Sequence, residues 1–126
     1  MREQPATILC VDDEEPALQV RKMVLEAQGY RVLGASCAEA ALELFCTNHV
    51  DLVITDHLLS TVTGTELARR MKQLKPTVPI ALLTGLPEPP EGAQHADCYL
   101  AKGGDLESLF HKISELIRSN PHDEKE

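Results

Sequence analysis

The sequence predicts an α/β domain built on a doubly wound, five-stranded parallel sheet. Two observations lead there. Short apolar runs without polar alternation, the mark of strands buried on both faces, recur along the 126 residues. Between most of them lie segments of helical period with start and stop signals, so the strands return through crossover helices and run parallel. A hydrophobic content of 43% is enough for one core, and residues 1–120 are expected to form one domain, with 121–126 a flexible acidic tail.

Thr7–Val11 (TILCV) is the first strand. Pro16, tolerated in a first helical turn, opens a helix expected to turn Ala17, Val20, Val24 and Ala27 inward, with Gly29 as its stop. Tyr30–Ala35 gives the second strand, and Ser36-Cys37-Ala38-Glu39 has the pattern of a capping box, with Ser36 as N-cap and Glu39 reaching back. The helix that follows presents Ala40, Leu44 and Phe45 to the core, and Val50–Thr55 is the third strand. Thr61–Thr65, with Gly64, is a loop feeding a third helix whose inward residues are Leu67, Met71 and Leu74 and which Pro76 ends. Pro79–Thr84 and Cys98–Ala101 are the last two strands, and Asp105 caps a final helix with Leu106, Leu109, Ile113 and Leu116 inward. Between those strands, Leu86–Gly92 carries three prolines and a glycine, so a fourth helix is expected to be shortened or missing, with at best a short turn around Ala93–Ala96.

All strands of a parallel sheet end on one edge, which brings distant residues together. Asp12 and Asp13 follow the first strand, Asp56 the third and Lys102 the fifth, while Thr84 ends the fourth. Three acids, a hydroxyl and an amine converging there read as a metal and phosphate site. Carboxylates ~4 Å apart repel by about 4 kcal/mol per pair in a surface-like dielectric, a cost that a hard cation such as Mg²⁺ offsets while keeping waters for a phosphate to replace. Alone, Asp12-Asp13 reads equally as a pair of acids favoured by a helix dipole, and Lys102 and Thr84 as a surface lysine and a strand-end threonine. Asp56 closes a strongly apolar run, and a carboxylate beside a cation can attack phosphorus to give an acyl phosphate. Strand alternation points its neighbour His57 away, and no second histidine sits at ligand spacing. Cys10, Cys37, Cys46 and Cys98 lack CxxC spacing and read as reduced, packed thiols.

The net charge of −8 argues against this domain binding nucleic acid or anionic lipid by itself. The chain shows neither a membrane-span run nor a signal-peptide layout, so a cytoplasmic location is expected.

Over nearly its whole length the chain resembles the receiver domains of two-component response regulators, which have a flavodoxin-like fold. The resemblance rests on Asp12-Asp13, Asp56 with Gly64 eight residues on, Thr84, and Tyr99-x-x-Lys102. It implies that Asp56 is the phosphoacceptor, that Asp13 and Asp56 ligate Mg²⁺ directly and Asp12 through water, and that the backbone carbonyl of Leu58 completes the protein ligands. Thr84 and Lys102 would hold the phosphoryl group, and Tyr99 would turn inward when Thr84 moves. The donor would be a sensor histidine kinase or phosphotransfer protein, and the output an unknown downstream protein docked by the phosphorylated domain in a phosphorelay.

Four departures from that pattern carry expectations of their own. Ser60 and Gly103 stand where the family commonly has proline, which loosens the turn after Lys102. Leu58 and Leu86, two residues beyond Asp56 and Thr84, offer no base to an attacking water, so a long-lived phosphoryl state is expected. Gly85 leaves room for a phosphodonor and for Tyr99. The rewritten Leu86–Gly92 surface suggests an unusual partner or a blunted response. The alternative function is an interaction module that binds partners regardless of phosphate. An enzyme of the phosphatase class would need an acid where Leu58 stands, so the chain is expected to promote only its own phosphorylation and dephosphorylation.

Overall fold

The computed structural model describes residues 5–60, 62–85, 96–103 and 105–118. Among the described residues the elements follow in the order β1 (Thr7–Val11), α1 (Glu15–Ala27), β2 (Arg31–Ala35), α2 (Ala38–Thr47), β3 (Leu52–Asp56), α3 (Gly64–Leu74), β4 (Ile80–Thr84), β5 (Cys98–Ala101) and α4 (Leu106–Arg118). The strands form one sheet of order β2-β1-β3-β4-β5, every pairing parallel, as the apolar runs predicted.

All residues of β1, β3 and β4 are buried, because helices cover both faces. Alternate side chains feed two cores. Ile8, Cys10, Ile54 and Leu83 pack with Leu18 and Leu25 of α1 and with Ile113 and Ile117 of α4. On the other face Leu9, Val11, Val53 and Ile80 pack with Phe45 of α2 and with Leu67 and Met71 of α3. No helix among the described residues is long and apolar enough to cross a membrane.

Several local expectations shift. On α1 the buried residues are Leu18 and Leu25, while Val20 and Ala27 are exposed and Val24 is half-buried. The inward stripe is one residue out of the predicted frame and includes Arg21, whose charge is compensated inside the fold. The α2 N-cap is Cys37, not Ser36: Cys37 is extended, and its Sγ accepts the Ala40 N–H at 3.5 Å. Glu39 therefore falls one position short of the capping box. Leu74 and Leu106 lie exposed at helix ends, and Ile117 replaces Leu106 in the core. β3 begins at Leu52 and extends through Asp56. Lys75, held out of helical geometry before Pro76, ends α3.

All four cysteines are free thiols, but Cys37 and Cys46 are exposed rather than packed. Burial pushes the Cys10 thiol up to about 12, so it behaves as a small apolar residue. The proline-rich Leu86–Gly92 segment and the acidic tail lie outside the described residues.

Candidate functional site

β1, β3, β4 and β5 are contiguous and parallel, so their C-terminal ends share one edge. Backbone hydrogen bonds continue past the strands and fix how each chain segment leaves. The Asp12 N–H donates to the Ala35 carbonyl at 3.1 Å, the His57 N–H to Leu83 at 2.9 Å, and the Lys102 N–H to Thr84 at 2.9 Å. These ties fix the backbone at or beside Asp12, Asp56 and Lys102, whose side chains meet at the sheet edge.

One carboxylate oxygen from each of Asp12, Asp13 and Asp56 lies within 4.8 Å of the other two. Asp12 and Asp56 are buried at the strand ends, at 1% and 4% exposure. Lys102 reaches across from the β5 end to place Nζ 2.9 Å from Asp56 Oδ1. Burial of two acids beside a third demands compensation, and the fold supplies part of it. The Glu14 N–H donates to Asp12 Oδ1 at 3.0 Å, and Arg21 Nη1 donates to Asp12 Oδ2 at 3.1 Å. The Ser60 hydroxyl donates to Asp13 Oδ2 at 2.8 Å. An all-carboxylate donor set of this size fits a hard, oxygen-seeking divalent cation rather than a soft one. Among the described residues, no other cluster of three or more such ligand atoms forms.

Gly64 closes the loop over the site. Its N–H donates to the His57 carbonyl at 2.7 Å, and a Cβ there would strike the Asp56 carbonyl oxygen. Thr63 caps α3 by accepting the Glu66 N–H at 3.2 Å, so the helix starts directly behind the acid. Leu58 bridges to Thr63 across this loop and turns its side chain outward, 70% exposed. Gly103 sits at φ +76°, a conformation closed to the proline that the family commonly has there.

The chain matches the response regulator receiver domain family over residues 8–114. It is a receiver domain. The receiver is similar to the autoinducer 1 sensor kinase/phosphatase LuxN of Vibrio campbellii, 36% identical over 124 residues, covering 93% of this chain and 14% of that protein. It is also similar to the phosphate regulon transcriptional regulatory protein PhoB of Pseudomonas aeruginosa, 33% identical, covering 89% of this chain and 52% of that protein. The receiver thus spans only part of the length of either relative. Among solved structures it superposes on the response regulator TrrA of Thermotoga maritima, itself in complex with Mg²⁺ and BeF, with a TM-score of 0.83 and 31% identity over 88% of this chain and 98% of that one. A CheY-like receiver domain from Methanospirillum hungatei gives a TM-score of 0.86 at 28% identity over 95% of this chain and 99% of that one.

The site thus gathers Asp12, Asp13, Asp56 and Lys102 as their positions at strand ends predicted. Thr84 is buried at the β4 end, in register with Ala101. Tyr99 stands 47% exposed on β5 and lines, with Arg21, Lys102 and Leu106, an open cleft of about 870 Å³ between α1 and α4. His57 stays outside the acid cluster, and its buried Nδ1 has no hydrogen-bond partner. Leu86 lies outside the described residues.

Sequence reading missed Arg21 and Ser60. The signal for Arg21 was a basic residue three after Leu18 and four before Leu25, on the inward side of an amphipathic helix, where a cation needs an acid partner. Ser60 had no comparable signal, since its partner Asp13 lies 47 residues away.

Proposed function

We propose that this receiver domain accepts a phosphoryl group on Asp56 from a sensor histidine kinase or phosphotransfer protein, in an Mg²⁺-dependent reaction in the cytoplasm, and signals by docking a downstream protein. The observation that carries this reading is the three acids with one oxygen each within 4.8 Å of one another, and Lys102 held 2.9 Å from Asp56, buried at the end of β3.

Asp13 and Asp56 would ligate the cation directly, Asp12 through water, and the Leu58 backbone carbonyl would complete the protein ligands. When bound, the cation supplies charge neutralisation at the phosphoryl oxygens and draws the acids together. Asp56 attacks phosphorus through a free carboxylate oxygen. The new O–P bond forms as the donor's N–P bond breaks, and the imidazole leaves with its electron pair. Lys102 moves its contact from Asp56 Oδ1 to a phosphoryl oxygen, following the charge as it develops. Thr84 offers its hydroxyl to another phosphoryl oxygen, and its displacement leaves space that Tyr99 fills from its exposed position on β5. Positioning and charge stabilisation suffice for this transfer, and no general acid is needed for so good a leaving group.

The test is phosphotransfer from a phosphorylated histidine donor with and without Mg²⁺. Label transferred to the parent protein but not to Asp56→Asn supports the reading. Partner binding that is unchanged by phosphodonor and by Asp56→Asn would instead favour a phosphate-independent interaction module.

A further inference from the structure

We infer that Arg21 is a built-in counter-ion that competes with the divalent cation for Asp12 and so weakens metal loading; this rests on the metal reading of the acid cluster. Arg21 belongs to the inward stripe of α1, between the buried Leu18 and Leu25, and its side chain is only 17% exposed. A guanidinium in such a position is tolerated when an anion meets it, and the anion is Asp12, whose side chain is 2% exposed, with Nη1 3.1 Å from Oδ2. The other carboxylate oxygen is already taken by the Glu14 N–H at 3.0 Å. Both oxygens of Asp12 therefore already have donors, and a cation drawing on this acid shares it with the guanidinium or displaces it.

The charge balance points the same way. The three clustered carboxylates face two cations, Arg21 and Lys102. Lys102 is 40% exposed at its side chain and can swing away as a phosphoryl group arrives. Arg21 is anchored in the α1 stripe and stays. Its positive charge acts on an incoming dication through a partly buried site, where screening is weak. Arg21 thus keeps the metal-free site stable and sets a higher cation threshold for phosphorylation.

The measurement is calorimetric titration of Mg²⁺ into the full chain, paired with thermal unfolding with and without Mg²⁺. Arg21→Gln keeps a donor toward Asp12 but removes the charge, and is expected to bind Mg²⁺ roughly tenfold tighter, equivalent to about 1.4 kcal/mol. Without Mg²⁺ it should unfold at lower temperature than the parent, and added Mg²⁺ should raise its midpoint by more. Arg21→Lys, which keeps the charge, should hold its affinity within about twofold of the parent. Arg21→Met gives the same affinity readout if the glutamine variant does not fold. A residue that merely props up the acid cluster would, when replaced, loosen the site and weaken binding. Equal or weaker Mg²⁺ binding by the charge-removing variants, with saturable binding by the parent, overturns the counter-ion role alone. No saturable binding by the parent, indistinguishable from Asp13→Asn, overturns the metal reading and the inference with it.

Discussion

Gly64 leaves no space for a side chain. A Cβ there would press on the Asp56 carbonyl oxygen and come within 2.7 Å of Leu82 Cδ1 and 2.9 Å of His57 Cα, mostly backbone that cannot yield without moving Asp56. Gly64→Ala is expected to lower stability by about 1–3 kcal/mol, read as an earlier urea midpoint. Lys102 contributes through its charge, which meets the buried Asp56 carboxylate. In the proposed transfer, its contact with Asp56 at 2.9 Å would pre-position the amine for the developing phosphoryl charge. In the proposed reaction, Lys102→Ala should slow Mg²⁺-dependent phosphorylation by roughly a hundredfold, in single-turnover kinetics, and should lower the unfolding midpoint because buried Asp56 loses its cation. Asp56 and Lys102 were legible because a charged residue directly after an apolar run is displayed at a sheet edge. Ser60 was not, because a hydroxyl on a loop announces no partner until the fold brings Asp13 to it.

Helix boundaries record competing local forces, and two of them can be tested. Cys37 caps α2 with a thiol, a poor acceptor, at 3.5 Å from the Ala40 N–H. Cys37→Ser offers a hydroxyl in the same extended backbone geometry and should raise stability by roughly 0.5 kcal/mol, seen in the denaturant midpoint. At the start of α3, Glu66 accepts hydrogen bonds from Arg69 and Arg70, which hold its carboxyl down at about 2 from the usual 4.5. A carboxyl with a depressed folded-state pKa stabilises the fold above its unfolded value. That contribution starts to fall below pH 4.5 and is gone once the pH passes about 2. Glu66→Gln should therefore flatten this part of the acid limb in a plot of melting temperature against pH. The same frame competition explains the α1 misreading. Two stripes are available on that helix, and the all-apolar one containing Val20 looks better on hydrophobicity alone. The fold uses the stripe with Leu18 and Leu25 because Asp12 receives the Arg21 charge.

At the scale of the molecule, the sheet order places β1 beside β3, where the winding reverses and a crevice opens at the strand ends. The acids from β1 and β3 meet there. The topology was readable because fully buried strands must be continuous apolar runs, and because β1, β2 and β3 each return through a helix. The partner compensation around the acids was less readable, since it joins residues far apart in sequence. Leu58, exposed beside the site, gives water no base, and the phosphorylated protein is expected to persist for minutes or longer. Loss within seconds at room temperature, followed by gel separation of the two forms, would rule that out.

The most direct test of phosphoryl transfer to Asp56 is the intact mass of the protein after incubation with a small acyl-phosphate donor, with Mg²⁺ or with a chelator. One added phosphoryl group on the parent with Mg²⁺, absent with chelator and absent in Asp56→Asn, is the predicted result. An unmodified parent, or equal modification of Asp56→Asn, would contradict it.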